Sequence, residues 1–328
     1  MATPQSDSAK AASQPPAPIA VDPLAPLELQ QRATLLAGPV DAPLPVDIHY
    51  VQSNETRHDL FFPFIDGVGG AFVGVGSDQS FTMAAVARAQ LMVLMDIDQR
   101  VVDLHRIYAV LIPRSDSPSA LVDAFSKEQR DSTLAHLETA FADQPHRVRE
   151  RLLREYRASR TTVHRHLGRV LGRTVDGVSA SWLSDRSQFE HIQRLYQSDR
   201  VRVMTGDLTG EASVQSAAAA VRGLGLTVRV LYMSNAEEYF TYTPQFRANV
   251  QALPTDDRSV VLRTIYAKTW PHADLWSYQV QPLADFEARV SAQRGRSRNG
   301  MLRHATRDAA VDREPGPRGL TTVAMAAP

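Results

Sequence analysis

The sequence predicts an α/β fold: a doubly wound, mostly parallel sheet with helices on both faces and a helical insertion. Three observations carry this. Short apolar runs at Ala71–Val75, Leu91–Asp98, Val201–Met204 and Val228–Met233 end in Gly, Asp or Ser-Asn, as strands covered on both faces do. Helical spacing stands between them, with Phe81, Ala84 and Ala85 on one segment and Val101, Leu104, His105, Tyr108 and Leu111 on the next. Strands that alternate with helices build right-handed βαβ units around a parallel sheet. At 328 residues, 43% of them hydrophobic, the chain has ample material for such a core.

The elements follow in order. Residues 1–46 hold nine of the twenty prolines, and so many fixed φ angles with few large apolar groups predict a disordered arm. Within it, Pro26 to Leu36 reads as a short helix. The folded body spans 47–293, opening with a strand-like piece at Val46–Val51 and an apolar run at Leu60–Phe64. Residues 115–199 form the insertion, helical in pattern and rich in arginine. Strand grammar resumes at Val201, and Ser259–Tyr266 and Trp276–Val280 close the sheet. From Arg294 to 328 the Arg, Gly, Ser and Pro content predicts a disordered tail.

Composition removes several chemistries. With no cysteine there is no disulfide, thiolate nucleophile or cysteine-held zinc. Lysine and arginine total 36 against 36 acids, so bulk charge favours neither nucleic acid nor a membrane surface. No apolar run reaches membrane-spanning length and the N-terminus lacks a signal-peptide core, which together predict a cytoplasmic protein without membrane insertion. His164 and His166 are two apart on a helical segment and point to different sides, so no metal site is expected there.

Ligands of parallel sheets bind at the carboxyl ends of the strands, near the point where strand order reverses. The residues that the sequence places there are Gly74, Gly76 and Asp78 after the first strand, Asp96 and Asp98 after the second, Asp207 after the third, and Ser234 with Asn235 after the fourth. Glycines let a backbone approach a ligand, and an acid about twenty residues on can accept hydrogen bonds from a ribose diol. A dinucleotide needs a third glycine and an uncluttered helix start for its pyrophosphate, and Asp78 stands in the way. S-adenosylmethionine carries no phosphate and two cationic groups, so an acid there favours the methyl donor over NAD. Asn235 is placed to orient a nucleophile and Glu237 to take a proton. The structural alternative is that Asn235 caps the next helix and Glu237 sits in its first turn.

With these residues in place, the run from Ala71 to Val280 resembles the class I S-adenosylmethionine-dependent methyltransferases, a Rossmann-like superfamily, and within it a bacterial branch. Gly74 and Gly76 match the first two of the family's alternating glycines. Phe72 stands where its acid usually is, and Asp78 where the third glycine would be. The resemblance implies that Asp96, with Asp98 as the fallback, holds the ribose. Asp207 would face the adenine amino group, and Ser234-Asn235 would lie beside the acceptor. A non-catalytic binding or scaffold protein with a drifted cofactor loop, and an NAD-dependent oxidoreductase, are the competing expectations. Nine arginines between Arg147 and Arg173 offer a docking face for an anionic partner, or an ordinary solvated face.

Overall fold

The computed structural model describes residues 22–266, 271–292, 297–298, 300–301 and 319–325. Helix α1 (Leu29–Leu36) and the single turn α2 (Phe62–Ile65) precede the alternating body. There follow β1 (Ala71–Val75), α3 (Gln79–Val86), β2 (Leu91–Asp96) and α4 (Gln99–Leu111). The insertion holds α5 (Pro118–Asp123), α6 (Arg130–Ala140), the long α7 (His146–Leu171), a hairpin of β3 (Thr174–Val175) and β4 (Val178–Ser179), and α8 (Arg186–Gln197). Then come β5 (Val201–Thr205), α9 (Ser213–Gly223), β6 (Val228–Ser234), α10 (Pro244–Ala252), β7 (Val260–Ile265), β8 (Ser277–Pro282), α11 (Leu283–Ser291) and β9 (Leu320–Thr322).

The main sheet has the order β5-β2-β1-β6-β7-β8-β9. Its first five members are parallel, β8 runs antiparallel to β7, and β9 lies parallel to β8. The fold is therefore the expected α/β class. β2 shows why its sequence makes a central strand. Met92 and Leu94 join the core under α3, α4, α7 and α8, while Leu91, Val93 and Met95 join the core under α9, α10 and α11. Both faces are dry, which is what an unbroken apolar run of β-length requires.

The insertion docks on α4 through buried carboxylates. Arg100 Nε donates to Glu155 Oε2 at 2.6 Å, and Arg151 Nε donates to Asp103 Oδ2 at 2.6 Å. Asp103 and Glu155 are almost wholly buried, so each bidentate pair fixes α7 against α4 rather than decorating a surface. Arg160 donates to the carbonyl of Phe125, and Arg154, Arg157 and Arg165 face solvent. The helical pattern of the insertion is broken at Asp176-Gly177, whose φ values of 51° and 80° make the tight turn of the β3–β4 hairpin.

Three expectations need correction. Residues 22–46 do not form a disordered arm. α1 buries Leu35 completely against the α9 side, and Leu27 N donates to the carbonyl of Ser198 at 3.1 Å. Prolines there fix an extended path that side-chain hydrogen bonds then hold. Val46–Val51 is not a strand but part of the same irregular segment. The last described residues are not a disordered tail either, because Leu320–Thr322 pairs with β8 as the sheet's edge. Residues 1–21, 302–318 and the last three lie outside the described residues.

Candidate functional site

Strand order reverses between β1 and β6, so the crevice to inspect lies over the carboxyl ends of β1, β2 and β6. Asp96 ends β2 there. Its Oδ2 accepts from Gly76 N at 3.1 Å and its Oδ1 from Asp98 N at 2.8 Å, which ties the β1 turn to the β2 turn. Gly76 has φ +88°, a left-handed conformation that glycine adopts without strain. Burial pushes the Asp96 carboxyl up to about 6, helped by the neighbouring Asp98 and opposed by the backbone N–H donors. Its proton is thus held more tightly in the folded than in the unfolded chain.

The sign of the linkage follows. Asp96 favours folding below its ordinary value of 3.8 and opposes it increasingly as pH rises through about 6. The penalty at neutral pH is on the order of 3 kcal/mol. In Asp96→Asn this slope disappears. Thermal melts of the two proteins across pH should therefore diverge in the variant's favour between about pH 4 and pH 7. Parallel curves would show that Asp96 titrates normally.

The other rim residues are placed as follows. Asp98 caps α4, its Oδ1 accepting from Arg100 N at 2.9 Å, and His49 Nδ1 lies 2.8 Å from its Oδ2. Asp78 is sealed beneath the insertion, where His166 Nε2 of α7 meets its Oδ1 at 2.7 Å. Burial raises the Asp78 carboxyl, but the charge and hydrogen bond of His166 outweigh it and hold it below the usual range. Gly74 has the Phe72 ring against it: a Cβ built at Gly74 would lie 2.5 Å from that ring. The phenylalanine in the place of an acid is thus a packing residue. His105 Nε2 donates to Gly76 O at 2.7 Å, and burial lowers this imidazole to about 4, so it stays neutral.

At the next strand, Asp207 Oδ1 accepts from Thr209 N and Oγ1 at 2.7 and 2.8 Å. Ser234, with φ +50°, turns its hydroxyl onto Glu55 Oε1. Asn235 opens the short turn Ala236–Glu238 without a side-chain cap. Glu237 is buried and faces inward, taking the Tyr242 hydroxyl and lying 3.5 Å from Arg263. The structure therefore gathers Gly76, Asp96 and Asp98 into one cluster and sends Glu237 elsewhere.

Sequence reasoning missed the strap formed by residues 39–58, which crosses the carboxyl rim. Asp41 takes the N–H groups of Ala212 and Ser213 at the start of α9, at 3.0 and 3.1 Å. Gly210 admits it, since a Cβ there would lie 2.4 Å from the Asp41 carboxylate. Leu44 N then donates to Ile97 O at 2.9 Å, and His49 reaches Asp98. Glu55 ends the crossing, wholly buried among Tyr232, Ser234, Thr264 and His58. Burial raises its carboxyl, but the His58 bond and charge and the two β6 hydroxyls hold it below the ordinary value. Apart from the Glu55–His58 contact, three residues apart, the partners of these bonds lie far along the chain, and no local spacing announces them.

The rim is also apolar and aromatic. Tyr50 of the strap, Tyr239 after β6 and Tyr266 after β7 are 46%, 68% and 48% exposed. Burial and the Tyr50 phenol together push the Tyr239 phenol up. No cluster of three metal-ligating side chains occurs among the described residues, and none of their helices is long and apolar enough to cross a membrane.

Sheet order, reversal point and carboxyl-rim acids define an α/β protein of the Rossmann-like architecture with its candidate site under an N-terminal strap. A model of the family described as a domain of unknown function, DUF7790, matches residues 50–324, and the chain belongs to that family. No curated protein matches it. Among solved structures, the rRNA methyltransferase aviRa from Streptomyces viridochromogenes aligns at 10% identity and a TM-score of 0.28, covering 76% of this chain and 86% of that one. A likeness at that score fixes neither fold nor activity.

Proposed function

We propose that the carboxyl rim binds S-adenosylmethionine and that the protein is a methyltransferase whose acceptor sits against the aromatic rim. The observation that carries this reading is Asp96, a carboxylate at the reversal point fixed by two backbone N–H groups. Each oxygen uses one of its acceptor positions, leaving one apiece for a ribose diol. Asp207 has one oxygen engaged and the other without a hydrogen bond among the described residues, which suits an adenine amino group. The adenosyl half of the cofactor fits these residues. Gly74 and Asp78 take no part, since Phe72 and His166 close them off.

The cofactor supplies a methyl group on a sulfonium centre. The chain's own contribution is position: Asp96 holds the sugar, and Asn235 with Tyr50 and Tyr239 orients the acceptor. A binding protein without transfer is the second reading, favoured by the strap that crosses the rim and by the His166 contact that seals Asp78. Titration calorimetry of the full chain with S-adenosylhomocysteine tests the first. Saturable binding should weaken about thirtyfold in Asp96→Ala, as the loss of two hydrogen bonds to a charged group requires. Binding that ignores the substitution, in a variant that melts normally, would remove Asp96 from the site. Tight binding with no methyl transfer to any acceptor would favour the second reading.

A further inference from the structure

The arginines of α7 are not spread evenly around the helix. Arg147, Arg151, Arg154, Arg165 and Arg169 follow at steps of four, three, eleven and four residues, each close to a whole number of turns, so they share one face. The stripe runs about 33 Å along the helix axis. Arg147, Arg154, Arg165 and Arg169 are exposed, and none of the four has an ion pair among the described residues. α7 carries two acids: Glu155 is spent on Arg100, and Glu150 is half-buried. A chain of zero net charge thus holds a local track of positive charge.

Two contacts of the stripe set it beside the carboxyl rim. Arg151 meets Asp103 in the first turns of α4, the helix that starts from the end of β2. Arg169 Nη2 donates to Gln52 Oε1 of the strap at 3.3 Å. Tyr50 stands two residues before Gln52 on that strap and is exposed, as are Tyr239 and Tyr266. The Tyr50 phenol acts on that of Tyr239. Tyr266 N donates to Glu238 Oε1 at 2.8 Å, which holds the end of β7 against the turn that carries Tyr239. The charged track therefore leads to the exposed phenol rings.

We infer that α7 and the aromatic rim together bind a single-stranded nucleic acid, its phosphates along Arg147, Arg154 and Arg165 and an unpaired base stacked at Tyr50 and Tyr239. Guanidinium forks match phosphate oxygens, and an exposed phenol ring offers a face to any base. An acidic peptide would answer the charge and leave the rings unused. A membrane surface would need exposed apolar groups on the helix, whereas the large apolar side chains of α7 are all buried or half-buried. As the acceptor of a methyl group the strand rests on the proposed reading; its binding does not.

The test follows the fluorescence anisotropy of a labelled RNA oligonucleotide of mixed sequence, about a dozen nucleotides long, as the full chain is added over a series of salt concentrations. Saturable binding is expected at about 50 mM salt, tighter for the single strand than for its duplex. Replacing Arg154 and Arg165 by glutamine should lower the slope of log affinity against log salt by about 0.7 for each arginine. Tyr239→Ala should weaken binding about tenfold and leave that slope unchanged, while Tyr239→Phe, which keeps the ring, should bind like the parent. All these positions are exposed, so variants that melt like the parent report on binding alone. Asp96→Ala should keep the oligonucleotide and lose S-adenosylhomocysteine, which separates this inference from the methyltransferase reading. No saturation at low salt overturns the inference, as does a salt slope indifferent to the two arginines. A preference for duplex, or full affinity in Tyr239→Ala, removes the unpaired base and overturns it too. Binding to phosphatidylglycerol vesicles with none to the oligonucleotide would assign the stripe to a membrane instead.

Discussion

Replacing Glu237 by leucine is expected to lower the melting temperature by roughly 5–15 °C, a loss of about 3–5 kcal/mol. Arg263 is the reason. It lies wholly buried on β7, with Nη1 3.5 Å from Glu237 Oε1, Nη2 donating to Gln281 Oε1 at 2.6 Å, and its guanidinium 5.1 Å from the centre of the Phe286 ring. Its Nε and Nη1 make no hydrogen bond among the described residues. The cation therefore relies on the carboxylate for charge balance, and removing that carboxylate leaves it uncompensated in the interior. The Tyr242 hydroxyl also loses its acceptor.

The double variant Glu237→Leu, Arg263→Met should recover most of the loss, because a well-packed apolar pair replaces a buried ion pair at little cost. Thermal unfolding of the two single variants and the double gives the coupling directly. Glu237 acting only as a base would produce a different pattern: unchanged melting in every variant and lost turnover. A single variant as stable as the parent would end the structural account of this residue.

Glu237 also shows where reading from sequence stops. The strands were legible because their signals are local: β2 announces itself by an apolar run ending in Asp96, and β1 by an apolar run ending in Gly76. The candidate acids followed from the strand ends. What each acid bonds to did not follow, because that depends on partners far along the chain. Asp78 meets His166 from an inserted helix 88 positions on, and Glu55 meets Ser234 across 179. The strap has no apolar period at all. Its order comes from side chain to backbone bonds such as that between Asp41 N and Ser213 Oγ, 172 residues apart. Proline content reads correctly as the absence of regular structure there and incorrectly as the absence of any structure. β9 is three residues long, too short for alternation to mark, and its pairing with β8 is supplied by the sheet edge.

The strap supplies the second large effect. Glu55→Ala should release residues 39–58 from the rim at a cost of about 3–5 kcal/mol. The substitution leaves the hydroxyls of Tyr232, Ser234 and Thr264 and the ring of His58 buried without their shared acceptor. Hydrogen exchange locates the damage. The amides of Leu44, Thr56 and Arg57, each bonded across the rim, should lose protection while those of β1 and β2 keep it. Uniform loss of protection would mean that the core has failed instead.

Acid should do to the parent what alanine does to the variant. The Glu55 carboxyl is held below its ordinary 4.5, so its contribution is fully present above that value and is lost as pH falls through the lower folded one. Glu55→Gln keeps an acceptor, and the surrounding hydroxyls can rotate to meet its amide. It should therefore cost less than alanine at pH 7 and lack the acid-driven opening of the strap. An acid transition at the strap that survives in Glu55→Gln would assign the clasp to another group, with the Asp78–His166 pair the first to examine, since its carboxyl is also held low.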